Sequence, residues 1–170
     1  MDEVNVSIDE KIGDDLPIED TVITEYLEQL EKDRQKWADT YYPLPENFPS
    51  KEIIKELSTK YKKIRIRRMA PNEAYILRRL TRAELKQYLA EVEVFRAEVE
   101  DDVIETKTFQ EELLVEMCTL WPEGLTLEDI RGELDPYSDI AAAGTATMLA
   151  ADIQEISNML SDAVGPIEEL

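Results

Sequence analysis

The chain is expected to be mostly α, a helical bundle carrying one β-hairpin, with an extended acidic arm at its N-terminus. Three observations predict this: apolar residues recur at helical spacing behind capping sequences, one basic window alternates with a period of two, and the first twenty residues show neither pattern. The expected organisation is an arm over 1–20, an amphipathic helix and Pro-rich connector over 21–49, and a helical body over 50–170 with the hairpin near 62–80.

The arm lacks hydrophobic periodicity and holds Gly13 and Pro17 among acidic neighbours, so it is not expected to fold by itself. From Thr21 to about Ala38, Ile23, Leu27, Leu30 and Trp37 form a helical stripe, with Asp20 as its expected start. Tyr41-Tyr-Pro-Leu-Pro-Glu-Asn-Phe-Pro49 cannot continue a helix, because each proline removes an amide donor and restricts the residue before it. Ser50 is then placed to cap a short helix with Ile53, Ile54, Leu57 and Tyr61 on one face.

The basic window follows. Twelve of the 19 Lys and Arg residues lie between Lys51 and Lys86 with only four acidic ones, in a chain of net charge −20. Ile64 and Ile66 alternate with Arg65 and Arg67, Pro71-Asn72-Glu73 is turn chemistry, and Tyr75-Ile-Leu-Arg78 returns as a second strand. The expected outcome is a hairpin with its isoleucines buried and a guanidinium-rich face outward. Such a hairpin is marginal alone, so it needs a helix or a further strand to pack against.

Thr81-Arg-Ala-Glu84 is a capping box and starts a helix with Leu85, Tyr88, Leu89, Val92, Arg96 and Val99 along one side. A second box, Thr108-Phe-Gln-Glu111, is expected to open the helix of Leu113, Leu114, Met117, Cys118 and Trp121, stopped by Pro122 and Gly124. Thr126-Leu-Glu-Asp129 caps a brief helix ending near Gly132. Asp135-Pro136 is the expected start of a last long helix reaching about Asp162, with the small residues Ala141–Ala146 in its first turns. Those small residues suit either a partner helix or tight packing within the domain.

The chemistry available is narrow. There is no histidine and one cysteine, so no catalytic base of the commonest kind, no internal disulfide and no thiolate zinc set are expected. Cys118 falls where a small core residue belongs. The acidic pairs Asp101-Asp102, Glu111-Glu112 and Glu128-Asp129 sit side by side on helices, about 100° apart, and do not converge on one ion. No catalytic residue, metal site or cofactor is therefore expected. No apolar run approaches the ~18 residues of a spanning helix, and the acidic first ten residues do not read as a leader, so no membrane association and an intracellular origin are expected.

Two cassettes carry a family resemblance: Tyr75-Ile-Leu-Arg-Arg-Leu-Thr-Arg-Ala-Glu-Leu85, and Glu111-Glu-Leu-Leu-Val-Glu-Met-Cys-Thr-Leu-Trp-Pro122 followed by Ala-Gly-Thr-Ala-Thr-Met-Leu-Ala150. Together they resemble tail assembly chaperones and baseplate hub assembly proteins of contractile-tailed bacteriophages, over roughly residues 50 to 160. The resemblance implies a non-enzymatic protein that binds other phage tail or baseplate proteins in an oligomeric assembly. It implies a location in the host cytoplasm during construction, with the virion tail or baseplate as the other candidate.

On that basis the hairpin is the expected recognition element. Arg65, Arg67, Arg68, Arg78 and Arg79 would meet carboxylates of a partner, with Ile64, Ile66, Tyr75 and Ile76 supplying the buried side of the element; the alternative is that these arginines lie on the domain's own acidic helices. A cellular helical adaptor or scaffold is the alternative. Nucleic-acid binding through the basic hairpin is a second alternative, disfavoured by the repulsion of a chain at −20.

Overall fold

The structure, a computed structural model, describes residues 16–159, with side chains described from residue 20 onward. It is a mostly α protein with a small antiparallel sheet. In chain order it runs α1 (Leu16–Tyr41), α2 (Lys51–Tyr61), β1 (Ile64–Ala70), β2 (Glu73–Arg78), α3 (Arg82–Glu98), α4 (Val103–Cys118), β3 (Thr119–Trp121), α5 (Leu127–Arg131), a 3-10 turn (Asp139–Ala141) and α6 (Thr145–Ile156). The chain divides into two compact units between Pro43 and Leu44, inside the Pro-rich connector.

The first unit contributes α1. It begins at Leu16, not after Asp20, so residues 16–20 are helical where an extended arm was expected. Pro17 is compatible with this because the amides of a helix's first turn have no intrahelical acceptor. The rest of the expected arm, residues 1–15, lies outside the described residues.

In the second unit, α4 is the central element. Phe109, Leu113, Leu114, Val115 and Cys118 are buried around most of its circumference. It packs against α3, α5 and α6, whose Tyr88, Val92, Ile130, Leu149, Ile153 and Ile156 complete the core with Tyr75, Leu77 and Leu80 of the β2 region. Each fully buried Leu or Ile contributes ~1.5–3 kcal/mol relative to exposure.

Several local signals hold. Ser50 accepts from the Ile53 amide, Thr81 and Glu84 form a reciprocal capping box, and Thr126 with Asp129 forms another. Gly132 ends α5 at φ 75°, where an added Cβ would meet Ala141 Cβ at 3.0 Å and Pro136 Cα at 3.1 Å.

Other expectations are corrected. The helix expected from Thr108 begins five residues earlier at Val103, capped by Asp102, whose carboxylate accepts from the Glu105 amide. Thr108 is inside that helix and donates its hydroxyl to the Ile104 carbonyl at 2.9 Å. The helix ends at Cys118, and Thr119–Trp121 turns extended and pairs with β2, Ile76 opposite Trp121 and Leu77 opposite Thr119. The last helix starts at Thr145 instead of Asp135; Asp135-Pro136 leads into the 3-10 turn, and Ala141–Ala143 lie before Gly144, the N-cap. Residues 160–162 of the expected helix lie outside the described residues.

The hairpin forms as expected, with Asn72 at φ 63° following Pro71 in a two-residue turn. Its facing is inverted. Arg65 and Arg67 lie opposite Leu77 and Tyr75, so they share the face that turns toward α6 and the core. Ile64 and Ile66 lie on the other face, with Ile76 and Trp121. That face is covered by Phe48, which stands edge-on to Trp121 at 4.9 Å, and by α2, whose Tyr61 ring lies 5.7 Å from the Arg78 guanidinium. Ile66 nonetheless stays 38% exposed. Period two identifies two faces but does not say which is inside. Here two covering layers make both partly inside.

Candidate functional site

Two regions stand out among the described residues, the arginine-rich sheet and the face of α1. In the sheet, Arg65 Nη1 donates to Asp152 Oδ1 at 2.8 Å and to Glu155 Oε2 at 3.1 Å, one turn apart on α6. Arg67 Nε lies 3.3 Å from Asp152 Oδ2. The geometry of that contact falls short of a hydrogen bond, because both atoms are buried without a hydrogen-bonding partner, so their attraction is coulombic. Asp152 is only 8% exposed, and two guanidiniums supply the compensation that a buried carboxylate requires. The bond from Arg65 lowers the pKa of Glu155 and raises that of Arg65 itself.

Arg78 is more deeply committed. Its Nη1 and Nη2 donate to Glu84 Oε1 at 2.9 Å and Oε2 at 2.6 Å, and further bonds reach the Arg79 carbonyl at 3.0 Å and the Met117 carbonyl at 2.7 Å. One planar cation thus ties the end of β2 to the first turn of α3 and the last turn of α4. A carboxylate at a helix N-terminus and a cation at a helix C-terminus both suit the helix dipoles. The hydrogen bonds from Arg78 hold the Glu84 carboxyl down to about 2.

The residues expected to meet a partner are therefore distributed as follows. Arg65, Arg67 and Arg78 pair with carboxylates of their own unit. Tyr75 is 3% exposed and donates its hydroxyl to Glu73 at 2.7 Å, which makes it a core residue on the buried side of the hairpin with almost no surface of its own to offer a partner. Arg68 is half-buried on β1, and Arg79 is exposed. The hairpin does not gather these six side chains into one outward patch.

Among the described residues no group of three or more acidic or cysteine side chains is placed to hold a metal. Burial pushes the Cys118 thiol up to about 12, far from the thiolate a nucleophile needs. No described helix is long and apolar enough to cross a membrane.

The face of α1 is different in kind. Ile23, Leu27, Leu30, Arg34, Trp37 and Tyr41 recur at steps of four and three, which is one seam of a heptad pattern. Ile23 and Leu27 are 54% and 56% exposed, Trp37 56% and Tyr41 60%, with Val22 and Tyr26 alongside them also exposed. Trp37 and Tyr41 touch each other one turn apart, ring centroids 5.5 Å away. Polar i,i+4 bonds, Gln29 to Asp33 at 2.9 Å and Gln35 to Asp39 at 3.0 Å, fasten the remainder of the helix surface. The helical spacing of this stripe was legible in the sequence. Its exposure was not, because spacing alone does not say whether a stripe is covered.

Comparison with protein-family models, with curated proteins and with solved structures found no match to this chain.

Proposed function

We propose that this chain is a non-enzymatic protein–protein interaction protein that acts in building a bacteriophage contractile tail or baseplate. The observation that carries the interaction role is the exposed apolar seam of α1. A helix of 26 residues gains most of its stability from tertiary packing of an apolar face, and among the described residues Ile23, Leu27, Trp37 and Tyr41 of that face are exposed in α1 while Leu30 is half-buried. Large exposed apolar stripes on soluble proteins mark contact surfaces. The tail setting is supported by the resemblance of the cassettes Tyr75–Leu85 and Glu111–Pro122 to phage tail assembly proteins.

The contact surface proposed here is α1, in place of the hairpin, because engaging Arg65, Arg67 or Arg78 would first require breaking ion pairs that hold the body together. Co-expression with tail-tube, tape-measure and baseplate proteins is the test. Retention of at least one of them on the tagged chain is the expected result; failure to retain any would overturn the tail assignment. Finding the chain in purified particles, or only in lysate of infected cells, then separates a resident component from an assembly factor that leaves.

A further inference from the structure

We propose that the apolar seam of α1 pairs antiparallel with α1 of a second copy of this chain, an inference that depends on the interaction role proposed above. The choice of occupant comes from charge. Between Asp20 and Glu31 the helix carries four acidic residues and no basic one; between Lys32 and Tyr41 it carries three basic and two acidic. A parallel pair would lay the acidic stretch of one helix along the acidic stretch of the other. An antiparallel pair lays it along the cationic end, where opposite charges flank a shared apolar seam.

The seam is self-complementary in that orientation. With Ile23 opposite Tyr41 of the second copy, Leu27 falls opposite Trp37 and Leu30 opposite Arg34, each seam position on one helix meeting a seam position on the other. Glu28 then lies level with Lys36 of the second copy. Arg34, the one charged seam residue, has the acidic Glu31 of the second copy within one residue of its own level. A single polar residue at such a position fixes register and orientation in helix pairs. The acidic stretch also makes an anionic lipid surface a poor occupant of the same face.

Sedimentation velocity of the full chain across the micromolar range, at low and moderate salt, tests the pairing. A twofold increase in mass with rising concentration is expected. Leu27→Glu with Trp37→Glu should return the chain to a monomer while leaving the urea midpoint unchanged at a concentration where the unaltered chain is itself monomeric, since both side chains are exposed in the single chain.

Orientation is read from cross-linking. A mixture of Leu27→Cys chains and Trp37→Cys chains should form the mixed disulfide under oxidation, and Leu27→Cys alone should not, because in an antiparallel pair the two copies of that position sit ten residues apart, about 15 Å. A monomer at every concentration, or efficient cross-linking of Leu27→Cys alone, would overturn the pairing. A monomer that still retains a tail protein through α1 removes self-pairing and leaves the interaction role standing; a dimer that retains no tail component removes the tail assignment and leaves the pairing standing.

Discussion

The hairpin and the first helix behave opposite to their compositions. The hairpin holds the densest run of cations in an acidic chain, the usual mark of a docking surface, yet Arg65, Arg67 and Arg78 are absorbed by Asp152, Glu155 and Glu84. Helix α1 is laced with charged residues, the usual mark of a solvated element, yet it presents Ile23, Leu27, Trp37 and Tyr41 to the outside. A charge run says little about function until its counter-ions are located. An amphipathic stripe says little until its cover is found.

Substitutions of equal chemistry in the two regions should separate them most sharply. Leu114→Ala, at a fully buried position of α4, should cost ~2–5 kcal/mol in urea denaturation of the body. Leu27→Ala on the open face of α1 should leave that midpoint within ~0.5 kcal/mol. Equal losses at the two positions would show that α1 is part of the cooperative core.

The arginines come next in size. Arg78→Ala leaves Glu84 and the Met117 carbonyl without their shared donor and should cost about 2–4 kcal/mol, near the lower end for a buried pair because Glu84 keeps some solvent access. Arg79→Ala, one residue along and exposed, should cost less than ~0.5 kcal/mol.

Acid should act through the same pair. Glu84 titrates at about 2 in the folded protein against 4.5 ordinarily, so its stabilising contribution is complete above pH 4.5 and is lost as pH falls from there toward 2. In the Arg78→Ala protein that part of the acid sensitivity should disappear, which denaturation midpoints taken between those two pH values would show.

The smallest effects distinguish two left-handed glycines. Gly132→Ala combines a positive φ with contacts at 3.0 and 3.1 Å and should cost about 2 kcal/mol or more; Gly124→Ala, with the same sign of φ and open space around it, should cost only ~1 kcal/mol.

What the sequence made legible was local. Ser50, Thr81 and Thr126 bond to amides three residues on, so their caps can be read from a few letters, as can Gly132 and the Pro71-Asn72 turn. The Thr108 box failed because the same four letters also fit a helix interior, where a threonine hydroxyl can bond back to a carbonyl, and Asp102 offered the earlier cap. Strand β3 was hidden because it is three residues long and follows α4 without a break, its pairing fixed by Ile76 and Leu77 more than forty residues away in sequence. The sequence left open whether the arginines face a partner or the chain's own acidic helices for a related reason: Asp152 and Glu155, which draw Arg65 inward, lie 87 and 90 residues from it.

The central claim is that the sheet is completed by its own unit while α1 awaits another chain. Hydrogen exchange of the intact protein, followed at low and high concentration, addresses it directly. The account predicts that amides of β1 and β2 are protected equally at both concentrations and that protection in α1 rises as the chain is concentrated. Protection in α1 that is independent of concentration, or sheet amides that become protected only when concentrated, would contradict it.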